Sequence, residues 1–334
     1  MTRAPLALLA LLLAACTAGE ELPADLAAPA EPLVWPQPPE KARIKFLYAF
    51  REPQHLGIQM PFLERVWTFI AGEEPRGMVR PYAVAAEGRR LAVADPGLRV
   101  VHLYDLEGED YERIRKAGDD FLRSPVAVAF APGRIYVADS ALGKVFAFDT
   151  DGDLLATIAG LERPAGLAYD QGSGRLYVAD ALGHGISVFD AAGKKLFSFG
   201  ARGPGAGEFN YPTHLFLRGD RLYVNDTMNF RLQVFDLEGR PVASFGSHGD
   251  GSGDFAQPKG VGVDGEGHVY VADAVFDRVQ IFDPGGRYLL AFGGTGAKVG
   301  DFWLPGGLFL VDDLIYVADS YNRRVQVFQF LGGS

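Results

Sequence analysis

Cysteine, histidine and long apolar runs are scarce in this chain of 334 residues. Cys16 is the only cysteine, so the chain forms no internal disulfide and offers no CxxCH segment for covalent haem attachment. The sequence contains no GxSxG segment of the kind that carries a serine nucleophile. Beyond the N-terminus, no apolar run approaches the roughly 20 residues that a membrane-spanning helix needs. These absences exclude a disulfide-stapled scaffold, a c-type haem protein and a multi-span helical membrane protein.

Positive charge is also in short supply. The 32 lysines and arginines are outnumbered by 42 aspartates and glutamates, which gives a formal net charge of −10. Nucleic-acid-binding domains gain most of their affinity from phosphate contacts made by a basic surface. The charge balance therefore argues against a nucleic-acid partner.

The chain is instead rich in repetition. Six strand-like segments end in an aspartate, at spacings of 44, 41, 46, 47 and 46 residues, and each repeat opens with a proline. The aspartates are Asp95, Asp139, Asp180, Asp226, Asp273 and Asp319, and the prolines are Pro81, Pro125, Pro164, Pro212, Pro258 and Pro305. A period in the forties with several short strands per unit is typical of β-propeller blades.

The fifth repeat shows how one copy forms a blade. Segments 259–263, 269–272, 279–282 and 288–292 are rich in β-branched and aromatic residues, and turn-forming residues such as Asp264-Gly265 separate them. The sequence thus predicts an all-β fold: a six-bladed β-propeller of four-stranded antiparallel blades, spanning residues 41–334 with its repeats at 81–330.

The last repeat lacks a fourth strand, because little chain follows its third strand at 325–328. Segment 44–50 precedes the first repeat and is similar to fourth strands such as 154–158. We expect this N-terminal strand to complete the last blade and close the ring, which removes an unpaired edge.

The repeats resemble a known family. RLQVFD at 231–236, RVQIFD at 278–283 and RVQVF at 324–328, with the linkers FGARGPGAGEFNYP at 199–212 and FGSHGDGSGDFAQP at 245–258, resemble NHL repeats. The resemblance covers roughly residues 81–330 and implies the six-bladed propeller. NHL-type propellers include protein-binding and RNA-binding modules, and distant relatives include metal-dependent lyases and lactonases, so the fold does not imply one function. The first three copies depart from the pattern, because Val100, Lys144 and Gly185 replace its arginine.

The N-terminus has the pattern of an export signal. Arg3, an apolar run at 6–13 and small residues before Cys16 are typical of a signal peptide over residues 1–15. Segment LAAC at 13–16 resembles the bacterial lipoprotein cleavage site, which implies a lipid on Cys16 that attaches the protein to a membrane. We expect an exported protein, lipid-anchored to the bacterial cell envelope. Thr17, where an aspartate would favour inner-membrane retention, favours the outer membrane facing the periplasm.

Two segments connect this anchor to the repeats. Residues 16–40 contain six prolines among alanines and acids, which predicts a disordered tether. Residues 61–71 place Phe62, Val66 and Ile70 at helical spacing and predict a short helix. This helix either docks a partner or covers an apolar face of the propeller.

The repeated aspartates allow two interpretations. Six carboxylates around one axis would bind a cation. Alternatively, each aspartate accepts hydrogen bonds from loop amides and pairs with the arginine five residues on, a role that every blade shares. We favour the second. Segments 149–153 and 250–254 imitate calcium loops without the full pattern, and we expect turns there. We predict no metal, no other cofactor and no catalytic residue.

One position distinguishes the fourth repeat from the others. Two residues after each opening proline stand Ala83, Ala127, Gly166, His214, Gly260 and Gly307. First strands line the channel of a propeller, so small residues there let the strands approach closely. His214 is the exception, and we expect it near the channel mouth, either as a hydrogen-bonded wall residue or as a binding residue.

Loops on one face carry the remaining candidates. The loops after the aspartates and the glycine-rich linkers between blades lie on the same side of a propeller. Their apolar or amide side chains are Leu142, Leu182, Met228, Asn229, Phe230, Val275, Phe276, Tyr321 and Asn322. The sequence favours a rigid binding platform for a cell-envelope protein or peptide. The alternatives are a metal-dependent lyase or hydrolase at the channel mouth near His214, and a small-molecule or glycan receptor.

Overall fold

The structure is a computed structural model that describes Pro23 and residues 25–27, 29–59 and 77–332. Its strands, in chain order, are β1 (Val34–Trp35), β2 (Ile44–Phe50), β3 (Ala83–Glu87), β4 (Arg90–Asp95), β5 (Val100–Asp105), β6 (Asp110–Ile114), β7 (Lys116–Ala117), β8 (Asp120–Phe121), β9 (Pro125–Ala131), β10 (Arg134–Asp139), β11 (Lys144–Phe148), β12 (Leu154–Ile158), β13 (Pro164–Asp170), β14 (Arg175–Asp180), β15 (Gly185–Phe189), β16 (Lys195–Phe199), β17 (Pro212–Arg218), β18 (Arg221–Asp226), β19 (Arg231–Asp236), β20 (Pro241–Phe245), β21 (Pro258–Val263), β22 (Val269–Asp273), β23 (Arg278–Phe282), β24 (Tyr288–Phe292), β25 (Leu308–Val311), β26 (Leu314–Asp319) and β27 (Arg324–Phe330).

These strands form six antiparallel sheets, which confirms the predicted all-β six-bladed propeller. Blades one to five are β3–β6, β9–β12, β13–β16, β17–β20 and β21–β24, and blade six is β25, β26, β27 and β2. The short ribbon of β7 and β8 connects blades one and two. First strands of successive blades contact one another around the ring, from β3 through β25 and back to β3. Inner strands such as β18 are largely buried, whereas the fourth strand β20 is exposed along nearly its whole length.

The ring closes as the sequence predicts. Strand β2 pairs antiparallel with β27, with Ile44 opposite Phe330 and Phe50 opposite Val325. The ring of Phe46 packs edge-on against that of Phe328 at 5.6 Å. Because β2 comes from the N-terminal side of the chain and β27 from its end, this pairing joins the two ends of the repeat array in one sheet.

The structure places part of the expected tether on the propeller. Strand β1 adds a fifth strand outside β2, and the Trp35 ring packs against Phe292 and Phe328. Leu26 is buried in the same core. The boundary expected at residue 40 is therefore too late, because these apolar side chains have a core to cover even among prolines. The signal segment 1–15, Cys16 and the helix expected at 61–71 lie outside the described residues.

Helical structure within the described ranges is limited to two 3-10 turns, Pro53–Leu56 and Thr227–Asn229. A search of the described residues finds no helix with the length and hydropathy to cross a membrane.

Deleting residues 41–50 is expected to lower the melting temperature strongly, because it leaves β27 as an unpaired edge and removes the buried Phe46 and Phe50. A milder version is Phe46→Ala, for which we expect a loss of about 3–5 kcal/mol in the free energy of unfolding. Lys45→Ala on the same strand is the control and should change it by less than about 0.5 kcal/mol. Denaturant unfolding measures all three, and an unchanged deletion variant would contradict ring closure by this strand.

Candidate functional site

The repeated aspartates have one structural role in all six blades. Each carboxylate accepts the backbone N–H of the residue two positions before the opening proline of its own blade. The donors are Val79, Arg123, Glu162, Asn210, Ala256 and Trp303, at 2.7, 2.6, 2.9, 2.6, 2.7 and 2.8 Å. This confirms the loop-amide interpretation of the aspartates. We call the face formed by these linkers and by the loops after the aspartates the aspartate face.

Two of the three expected arginine partners are in place. Arg231 and Arg324 each donate through Nε to the aspartate of their blade at 2.8 Å, and Arg324 is fully buried. Arg278 differs, because its guanidinium lies 4.5 Å from the ring of Phe276, and its buried Nε and Nη2 have no hydrogen-bond partner among the described residues.

His102 in blade one takes the place of a glutamine. The same position holds Gln233 and Gln326 in blades four and six, whose Nε2 atoms lie 3.1 and 3.0 Å from the blade aspartate. The fully buried His102 brings Nε2 to 3.5 Å from Asp95 Oδ2, and its Nδ1 lies 2.7 Å from the Tyr111 hydroxyl. Burial lowers the pKa of His102 in spite of Asp95. This histidine is therefore a packing residue of the blade rather than a free ligand.

His102→Gln is expected to keep stability within about 1 kcal/mol, because glutamine makes this contact in other blades. His102→Leu should cost about 1–3 kcal/mol, because it removes the buried hydrogen bond to the Tyr111 hydroxyl and the polar contact with Asp95. Urea unfolding of both variants beside the parent protein measures the difference. Equal stability of the two variants would show that the contact with Asp95 contributes nothing.

A channel runs along the axis of the ring. First-strand residues of blades one to four and six line a cavity of about 340 Å³, and among them are Val84, Val128, Leu167, Leu215 and Leu310. Close approach of the strands explains the small residues at the position equivalent to His214. A Cβ added to Gly166 would lie 2.1 Å from the carbonyl oxygen of Thr213, and one added to Gly260 would lie 2.3 Å from the amide nitrogen of Leu308.

His214 lines this cavity, and only 7% of its surface is exposed. Its ring lies 5.6 Å from that of Tyr82, which reaches across the axis from the opposite blade. Lys259 Nζ lies 5.3 Å from the centroid of the same Tyr82 ring. Removal from water lowers the pKa of His214 to about 3, with the charge of Lys259 acting in the same direction, and raises that of Tyr82 to about 12. The imidazole is therefore neutral at physiological pH.

Acid is expected to destabilise the protein partly through His214. Its folded pKa of about 3 lies below the unfolded value of 6.5. Between these two values the unfolded state binds one more proton, so the free energy of unfolding decreases as the pH is lowered. The loss is at most about 1.4 kcal/mol per pH unit. We expect His214→Phe to lose less stability than the parent between pH 6.5 and 5, measured by denaturant unfolding. Lys259 and Tyr82, the groups that face this position, and the other histidines are present in both proteins. Equal losses would therefore contradict a buried neutral His214.

The structure separates the predicted face residues into two groups. Met228 and Tyr321 project into solvent at 45% and 46% exposure. Asn229 and Asn322 instead donate to Asp226 and Asp319 and to linker carbonyls. Phe230 packs against the His248 ring at 4.3 Å, and Phe276 lies under Arg278. Of these six residues, Met228 and Tyr321 therefore offer their side chains most directly.

Further exposed apolar side chains lie on the same face. Leu182 and Val275 occupy the positions equivalent to Met228 and Tyr321 in their blades, and Val79 and Trp303 lie on the linkers. We call these six side chains the apolar collar: Val79, Leu182, Met228, Val275, Trp303 and Tyr321. Tyr321 and Trp303 rings lie 5.7 Å apart. Sequence reasoning missed Val79 and Trp303, although aligning the repeats two residues before each proline would have found them.

The remaining histidines do not form a metal site with His214. His55 Nδ1 lies 3.1 Å from the Arg51 amide, His184 Nδ1 lies 3.3 Å from the Tyr211 amide, and His268 Nδ1 lies 2.9 Å from Asp264. The described residues contain no group of three histidine, cysteine, aspartate or glutamate side chains with the geometry of a metal site. The calcium-like segment at 149–153 is a turn between β11 and β12, in which Asp149 accepts the amides of Asp151 and Asp153.

Comparison with known proteins shows the fold and nothing finer. No family model and no curated protein matches the chain, so the NHL assignment stays a resemblance. A structural-genomics protein of unknown function from Bacteroides thetaiotaomicron matches with a TM-score of 0.59 at 16% identity over 77% of this chain and 70% of that chain. Virginiamycin B lyase from Staphylococcus aureus matches with a TM-score of 0.57 at 13% identity, over 76% of this chain and 96% of that chain. Kuenenia stuttgartiensis hydrazine synthase matches with a TM-score of 0.55 at 13% identity, over 76% of this chain and 96% of that chain.

Proposed function

We propose that this protein is an NHL-type binding platform whose aspartate face takes a protein or peptide segment of the cell envelope. The apolar collar is the observation that supports this most. Its side chains come from five of the six blades or their linkers, yet the loops that hold them are fixed by buried aspartates. Exposed aromatic and methionine side chains on a rigid frame are typical of a protein-binding surface.

Charge on the same face specifies the partner further. Arg80 lies 5.4 Å from the Tyr321 ring, Arg163 lies 5.8 Å from the Tyr211 ring, and Lys259 lies against Tyr82. These three cations lie in or directly after the linkers of a protein whose net charge is −10. We therefore expect a partner segment that combines apolar side chains with aspartate or glutamate, held by contacts to both the collar and the cations.

The anchor gives the platform its location. A lipid on Cys16 would hold the protein at the bacterial envelope, in the outer membrane facing the periplasm if the host has one. The residues between Cys16 and the buried Leu26 would act as the remaining tether, shorter than the sequence alone predicts. Attachment to a membrane raises the effective concentration of a partner in the same membrane and so supports a surface of modest affinity.

The lyase alternative has weaker support. Virginiamycin B lyase shares the fold, but a likeness at 13% identity does not transfer an activity. A catalytic zinc is normally held by three protein ligands, whereas the part of the chain that the structure describes contains no group of three histidine, cysteine, aspartate or glutamate side chains that could hold a metal ion. A glycan receptor also has weak support, because the channel wall is largely apolar.

Photo-crosslinking in intact cells tests the platform. A photoreactive residue at position 228 or 303 is expected to capture a discrete envelope protein that the same residue at 242, on the outer strand β20, does not capture. The identified segment should bind the purified protein about tenfold or more weakly after Tyr321→Ser, in keeping with an aromatic hot spot. Arg163→Glu should also weaken it, and added salt should weaken the parent complex.

The matched control for that experiment is Val242→Ser. Val242 is as exposed as the collar residues, at 52%, but lies on blade four away from the aspartate face. The control should bind like the parent. Two results would reject the aspartate face as the platform surface. One is identical capture from positions 228 and 242, and the other is an affinity that neither Tyr321→Ser nor Arg163→Glu changes.

A further inference from the structure

We propose that the central channel is a second binding site, separate from the aspartate face, for a small uncharged apolar molecule that carries one hydrogen-bond donor. An apolar alcohol or phenol has this chemistry. The contact that selects it is the free lone pair on His214 Nε2.

The shape and wall of the channel define the apolar part of the ligand. Its volume of about 340 Å³ lies at the lower end of the roughly 300–1,000 Å³ that is usual for ligand pockets. Phe216 and Phe309 contribute aromatic surface and contact one another edge-on at 5.7 Å. The charged lining residues, Glu87, Arg218 and Asp312, lie near the hairpins between first and second strands, at the end of the channel away from His214.

A chain of hydrogen bonds fixes which imidazole nitrogen holds the proton. The carbonyl oxygen of Pro258 accepts only, so the Thr227 hydroxyl donates to it at 3.1 Å. Thr227 Oγ1 then accepts the hydroxyl proton of Thr213 at 2.7 Å, and Thr213 Oγ1 accepts Nδ1–H of His214 at 3.3 Å. Every donor in this chain is committed. The proton therefore lies on Nδ1, and Nε2 presents a lone pair.

That lone pair lacks a partner. Nε2 is buried and makes no hydrogen bond with any described residue. An unpaired buried acceptor costs free energy, which a donor on a ligand would recover. A single water molecule satisfies Nε2 poorly, because water needs two to four polar partners and most side chains that line the channel are apolar. A carboxylate ligand is disfavoured at this atom, because an ionised carboxylate only accepts hydrogen bonds and cannot donate to the lone pair on Nε2.

The test uses a matched pair of probes, 4-propylphenol and 4-propylanisole, which differ by methylation of the donor oxygen. Full-length protein in lipid nanodiscs avoids detergent in the channel, and calorimetry measures both affinities. We expect the phenol to bind at least tenfold more tightly than its ether, although the ether is the more apolar. The ¹⁵N spectrum of the imidazole should show an Nδ1–H tautomer and a change at Nε2 when the phenol binds.

His214→Phe keeps an apolar ring of similar size and removes the lone pair. In this variant we expect the preference for the phenol to disappear while the ether still binds. Leu167→Trp, which fills the channel, should abolish binding of both probes and leave crosslinking at the aspartate face unchanged, so this site and the platform can fail independently. If His214→Phe does not fold, the tautomer in the parent's ¹⁵N spectrum and the parent's relative affinity for the two probes still test the proposal. No binding of either probe, equal affinities in the parent, or a preference that survives in His214→Phe would overturn the proposal.

Discussion

A hydrogen bond from a linker amide to a buried aspartate recurs in every blade, and the geometry of the ring depends on it. The aspartate at the end of the second strand holds the linker two residues before the proline that starts the first strand. A hydrogen bond to a charged group contributes about 1.5–3 kcal/mol. Six such bonds define where each first strand enters the channel wall, and so where the side chains beside it point.

Because these bonds use the backbone of the linkers, the side chains at the loop tips are free to differ between blades. The differences collect in two places. On the aspartate face they form the apolar collar and the cations beside it. In the channel they leave one imidazole among alanines and glycines. The common part of the repeat thus explains the fold, and the variable part explains what the fold offers to a partner or ligand.

Sequence reasoning recovered the parts of the molecule that are local or periodic. Strand β24 has the predicted bounds, and β2 closes the ring as expected, because strand patterning and turn residues act over a few positions. Strand β1 was missed because the prolines on either side of it indicate a tether, whereas Trp35 packs on Phe292 and Phe328 from distant repeats. The pairing of Tyr82 with His214 was missed for the same reason, since it joins opposite blades across the axis. Asn229 and Asn322 look like surface residues in sequence, but their amides belong to the aspartate network.

Amide hydrogen exchange at the six donor positions tests the account most directly. Val79, Arg123, Glu162, Asn210, Ala256 and Trp303 lie in linkers, where amides normally exchange quickly. If the aspartates hold the ring as described, these six amides will be protected to a degree similar to neighbouring strand amides such as those of β4 and β22. Exchange at the rate of the unbonded linker amides around them would contradict the account, because the linkers would then not be fixed by the aspartates.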